Sequence, residues 1–306
     1  MKNHKNKVIT ESIITFCFFL VIGIIIWQTK NHIFFLFNFI YIGIAASLGE
    51  LLFGLLPRRK KNWGRKISQL LIGIYMFGVL GLLGRENMQI EGFFFYLLAG
   101  IFSGPVLHYF IAKIVGPLLF GRGWCGWACW TAMILDLLPW SNNKNGRIRY
   151  LGLIRYVHFI IALLLVMVLW FLFNMKDFDK NSIVELNWLI IGNIFYYSIA
   201  ILLGKILKDN RAFCKYICPI PTFLKLSSRF SIWKIEILPE KCSSCKLCEI
   251  NCPMDIKLLT YLKAGKRVTS TECIACQKCV NVCPENAVKY TKKIDWGFKE
   301  HLNYKK

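Results

Sequence analysis

Residues 242–253 read CSSCKLCEINCP and residues 273–284 read CIACQKCVNVCP. In both, three evenly spaced cysteines are followed by a Cys-Pro pair: Cys242, Cys245, Cys248 and Cys252 before Pro253, then Cys273, Cys276, Cys279 and Cys283 before Pro284. A cubane [4Fe-4S] cluster needs four thiolates in fixed directions. A Cys-x-x-Cys-x-x-Cys loop supplies three of them, and where two such runs occur in one chain the Cys before each Pro ligates the other cluster. The repeat therefore predicts Cys242, Cys245, Cys248 and Cys283 around one cluster, and Cys252, Cys273, Cys276 and Cys279 around a second. Structural zinc also takes four cysteines, but from separated knuckles and not from triplets closed by Cys-Pro.

The flanks fit a small α+β unit. Trp233 to Leu238 alternates as a strand does, and Ala287 to Thr291 supplies a counterpart after the second run. Cluster assembly needs free thiolates, so this region is expected in a reducing compartment, the cytoplasm. Nothing near the cysteines offers a nucleophile or an acid-base pair, and no phosphate loop, Rossmann fingerprint or catalytic triad is visible elsewhere. The expected role is conduction of electrons, not catalysis.

Ahead of this region the composition changes. The chain is 56% hydrophobic, and a hydrocarbon layer about 30 Å thick needs roughly 20 mostly apolar residues of helix. Six segments meet that test, near 8–27, 33–56, 67–84, 92–112, 150–174 and 187–207. The predicted organisation is an α-helical polytopic membrane domain over 1–224, a bacterial-type two-cluster ferredoxin domain over 225–290 and a basic tail over 291–306.

Charge sets the expected sidedness. Lys and Arg crowd one set of connections (Lys2 to Lys7, Arg58 to Lys66, Arg122 to Arg149) and are sparse in the other (Lys30, Arg85, Lys176, Lys180), which by the positive-inside rule puts both termini in the cytoplasm. The same rule accounts for the net charge of +22 without nucleic acid as a partner. The lipid bilayer of the inner cell membrane is the expected environment.

Two more cysteine pairs fall where spans meet the inner surface: Cys125 and Cys129 in GRGWCGWAC (121–129), and Cys214 and Cys218 in RAFCKYICP (211–219). Each spacing puts both sulfurs on one face of a helix. They are candidate redox thiols or ligands of a further iron-sulfur centre, against the alternative of buried structural cysteines. Together with the eight-cysteine region, these stretches resemble a group of membrane ferredoxin-type 4Fe-4S proteins. The group includes the quinol dehydrogenase component of periplasmic nitrate reduction, the membrane regulator of nitrous-oxide reduction and the cytochrome oxidase assembly ferredoxins. The likeness runs from about Gly121 to Pro284, with Trp130 standing where the first motif of that group has Pro. It implies electron transfer between the quinone pool or cytoplasmic donors and a partner redox protein. The alternative function is a redox-dependent regulator or assembly factor for a metalloenzyme.

Ionisable groups inside spans cost about 2.5–3.5 kcal/mol each on insertion scales and mark candidate sites. Glu50, His108, Arg155 and His158 lie toward the inner ends of their spans and form a candidate quinone site, with a histidine donating to a carbonyl and Glu50 taking protons.

Overall fold

A computed structural model of the chain describes residues 2–102, 104–140, 146–175, 182–295, 297 and 299–305; Lys176 and Lys180 lie outside them. Among the described residues, five helices are long and apolar enough to cross a membrane: Lys5–Lys30, Phe34–Leu55, Lys61–Leu83, Leu151–Phe171 and Ile183–Leu207. Large apolar side chains such as Phe37, Leu164, Phe195 and Leu202 point outward from them. Such a surface suits hydrocarbon. The last of these helices starts on an N-cap, with the Ser182 hydroxyl accepting from the Glu185 N–H at 3.3 Å.

The segment 92–112, expected as a single span, is two helices, Ile90–Leu98 and Gly104–Phe120. Hydropathy misses the break because the stretch is apolar throughout. Backbone chemistry makes it: Gly100 adopts a φ of +69°, and Pro105 lacks the N–H needed to continue a helix arriving from Leu98. Tyr96, Val106 and Tyr109 in the flanking helices are buried, whereas Gly100 and Phe102 of the link are exposed. The broken pair also carries the chain back along the bundle. Arg58, before the helix Lys61–Leu83, and Arg122, after Phe120, both reach the C-terminal region.

Among its described residues, that region contains one small antiparallel sheet, β1 (Trp233–Ile237) paired with β2 (Val288–Lys292) in the register Trp233↔Lys292 through Ile237↔Val288. Trp233 and Tyr290 stack across it at 5.3 Å. Ile235, Ile237 and Val288 turn inward to a core shared with Met254, Ile256, Leu258 and Tyr261. Residues beyond β2 fold back onto the body: the Lys257 N–H donates to the His301 carbonyl at 2.8 Å, and the Arg147 N–H to the Asn303 carbonyl at 2.8 Å.

Candidate functional site

The two ligand runs are built alike. Ser244 and Lys246 in the first, and Ala275 and Gln277 in the second, take left-handed backbone conformations at matching places, as do Asp255 and Asn286 after the prolines. Left-handed residues are costly for side chains other than glycine, so their recurrence marks a loop shape imposed twice. The Ala287 N–H donates to the Cys283 sulfur at 3.3 Å, and the Ile256 N–H does the same for Cys252.

Sulfurs from different runs meet. Cys252, from the first, lines one apolar cavity with Cys273, Cys276 and Cys279 from the second. In the first run, Cys242 and Cys245 stand beside Cys248. Burial pushes the Cys252 thiol up to about 11 and the Cys248 and Cys273 thiols up to about 12. Grouped thiols that burial keeps protonated, with backbone N–H groups aimed at them, suit a metal centre that supplies the missing positive charge. The donor set therefore fits iron-sulfur clusters.

The other four cysteines come together as well, though not on continuous helices. Cys125 lies in the helix Gly123–Trp127 and Cys129 just precedes the helix Trp130–Leu135; Cys214 lies in Ala212–Tyr216 and Cys218 follows it. Each pair thus straddles a helix end, and both ends close the same way. The N–H groups of Ala128 and Cys129 share the Trp124 carbonyl at 3.0 and 3.1 Å, while those of Ile217 and Cys218 share the Phe213 carbonyl at 2.9 and 3.0 Å. Trp130 and Pro219 leave these backbone turns equivalent. An arginine three residues ahead addresses each first thiol, Arg122 for Cys125 and Arg211 for Cys214. Burial pushes the Cys214 thiol up to about 11, with Cys129 and Cys125 adding to the rise, and Cys218 is raised by burial and by the other three sulfurs. Lys113, 2% exposed, faces Cys129, Cys125 and Cys218.

This cysteine group abuts the second ligand run. The Trp127 indole donates to the Ala275 carbonyl at 2.9 Å, and a Cβ on Gly126 would strike the Ile274 carbonyl oxygen. Buried charges hold the junction. Glu272, next to Cys273, pairs with Arg122 at 2.8 Å, Arg147 at 3.1 Å, Arg155 at 2.9 Å and Lys225 at 2.5 Å. Asp255, after Pro253, pairs with Lys215 and, at 3.8 Å, with Arg147. Asp136 takes Arg65 and Arg211, each at 2.6 Å. Sequence reasoning passed over these acids. The available signal was their scarcity, with 17 Asp plus Glu against 39 Lys plus Arg, and the place of Glu272 and Asp255 beside ligand cysteines.

The four residues expected to form a quinone site each engage partners of their own. Glu50 accepts from the Thr15 hydroxyl at 2.6 Å, and His108 packs edge-on to Trp124 at 4.7 Å. His158 bonds the Ile217 carbonyl at 3.0 Å and the Tyr196 hydroxyl at 3.2 Å. Arg155 belongs to the Glu272 cluster and to the Lys215 carbonyl. Through these bonds Arg155 joins the two parts of the chain.

The fold and its cysteines define an iron-sulfur electron-transfer protein with several apolar helices ahead of a two-cluster region. Comparison with known proteins agrees. A family described as "4Fe-4S dicluster domain" matches residues 234–284, and one described as "4Fe-4S binding domain" matches twice, at 102–147 and 197–237, each time over one of the paired-cysteine turns. An uncharacterized protein of Methanocaldococcus jannaschii is 29% identical over 75% of this chain and 92% of its own length. The ferredoxin-type protein NapH of Haemophilus influenzae is 25% identical over 58% of this chain and 65% of its own. The putative electron transport protein YccM of Escherichia coli is 25% identical over 57% and 52%. The chain resembles the NapH-like ferredoxin-type membrane proteins. No solved structure matches it.

Proposed function

We propose that the chain passes electrons between a donor at the membrane, of the quinone class, and a partner redox protein in the cytoplasm, by way of the four junction cysteines and two [4Fe-4S] clusters. In this reading Cys252, Cys273, Cys276 and Cys279 hold the cluster nearer the membrane, and Cys242, Cys245, Cys248 and Cys283 hold the outer one. The clusters supply one-electron chemistry, with potentials tuned by nearby charge, hydrogen bonds and solvent. The residues of the chain order the route. The observation that carries the reading is the asymmetry of the two runs: Ile274 and Ala275 of the second are buried against the Cys125 turn, whereas Cys245 and Leu247 of the first face solvent. One end meets the membrane part and the other is free to meet a partner.

Anaerobically purified protein is expected to contain about eight iron and eight acid-labile sulfide per chain, or about twelve of each if the junction thiols hold a third cubane. Cys276→Ser should remove roughly one cluster's worth. Zinc in place of iron would end the proposal. Cys214→Ser combined with Cys218→Ser is expected to slow quinol-dependent reduction of the two clusters while dithionite still reduces both. An unchanged quinol-dependent rate would return these cysteines to a structural role.

A further inference from the structure

Beside the second cluster region lies a polar cavity of about 140 Å³ that the relay does not use. Its walls come from both parts of the chain: Arg65 and Lys66 at the start of one long helix, Asp136, Arg211 after the last long helix, and Cys276 and Lys278 of the second ligand run. Four cations face one carboxylate. That carboxylate is already committed, since Asp136 receives both Arg65 and Arg211 at 2.6 Å. Among the described residues neither Lys66 nor Lys278 makes an ion pair. Asp136 attracts the Lys66 ammonium, while Arg65, Lys278 and Arg211 act on it as like charges, and Lys66 lies over the Trp63 ring at 5.0 Å. Cations in excess of a single carboxylate in a partly buried cavity call for a counter-anion. Asn210 also lines the cavity, and among the described residues its buried side-chain oxygen has no donor.

An occupant that answers both features has negatively charged oxygens for the lysines and a hydroxyl for Asn210. A hydrogen phosphate ion has both, as does the phosphodiester head group of phosphatidylglycerol. At about 30 Å³ per water-sized group the cavity holds about four or five such groups, enough for the phosphate of either, with the glycerol of a lipid head at the mouth. The place is also right for a lipid, because the cavity opens where long apolar helices end in Lys, Arg and Asn, the level at which head groups lie.

We infer that this cavity binds a phosphate group, from an anionic lipid or free in solution, and that its occupant disfavours reduction of the adjacent second cluster. The second half rests on the relay reading above; the first does not. A negative charge placed beside the Cys276 loop makes the addition of an electron there less favourable, as net charge does for iron-sulfur centres generally.

The test uses the full chain in phosphatidylcholine nanodiscs titrated with inorganic phosphate, following the melting temperature and, by EPR, the midpoint potentials. Phosphate should raise the melting temperature and lower the potential of the second cluster alone. Lys66→Gln with Lys278→Gln should weaken phosphate binding by about tenfold or more, and Lys66→Arg with Lys278→Arg should largely restore it. Nanodiscs containing phosphatidylglycerol separate the two sources: a melting temperature already raised and insensitive to phosphate assigns the site to lipid, and an undiminished phosphate response assigns it to the free ion. No phosphate or phosphatidylglycerol effect, or an equal effect in the double Gln variant, overturns the site. Binding without any change in potential overturns the redox half. Phosphate-dependent stabilisation of a chain found to lack iron keeps the site and refutes the relay.

Discussion

Glu272→Gln should detach the cluster-bearing region from the helical part and destabilise the chain by about 3–5 kcal/mol or more, the range found when one member of a buried ion pair is removed. Gln keeps the shape of Glu and loses the charge, and three arginines that are almost wholly buried depend on that charge. Arg122, Arg147 and Arg155 expose no more than 5% of their surface, so water cannot take the place of the carboxylate. The readouts are thermal melting and limited proteolysis between Ser228 and Trp233, which should become fast in the variant. Wild-type melting and protection would show that the network is dispensable.

The same carboxylate predicts a pH dependence. Burial by itself would raise the Glu272 carboxyl, but Arg147, Arg155, Arg122 and Lys225 together hold it well below its ordinary value. A folded-state value depressed below the unfolded one gives stability that is fully present above the unfolded value, about 4.3, and is lost as pH falls toward the folded one. The contribution of Glu272 should therefore be level through neutral pH and fade only in acid. Glu272→Gln should flatten that acid limb.

Gly126→Val is expected to produce the largest loss of electron transfer for the smallest chemical change. The Ile274 carbonyl oxygen occupies the space a Cβ at residue 126 would need, and both neighbours are tied down: the Arg65 guanidinium donates to the Gly126 carbonyl at 2.6 Å and the Trp127 indole to Ala275 at 2.9 Å. Two restrained backbones cannot yield cheaply. Overpacking of this kind costs about 1–3 kcal/mol, here relieved by moving the second ligand run away from the Cys125 turn. Quinol-driven reduction should fall severalfold while iron content and dithionite reduction stay close to normal, measured by stopped-flow bleaching under argon. Unchanged quinol-driven rates in a properly assembled Gly126→Val protein would mean that electrons do not cross at this contact.

Much of this was legible in the order of residues. Cysteine spacing, the prolines behind it, strand alternation on both flanks and runs of apolar residues are all short-range signals, set by the reach of one loop or the length of one helix. The two strands β1 and β2 and the five long helices follow from them, while the antiparallel pairing of the strands is a tertiary result. The break between Leu98 and Gly104 was legible in principle, because Gly100 and Pro105 stand in plain view, yet hydropathy averages over both. Neither the separate partners of Glu50, His108 and His158 nor the binding of Arg155 to Glu272 was legible, since ionisable groups on different helices carry no mark of which partner they will face.

The sequence by itself determined that eight thiols would be presented in two like loops behind apolar helices, because loop shape and helix length are local properties. Only the tertiary structure decided that the second loop sits on the Cys125 turn while the first stays open. That choice is made by contacts between residues as far apart as Arg122 and Glu272, 150 positions along the chain, and a buried carboxylate selects its cations by where folding leaves them, not by where they stand in the order of residues.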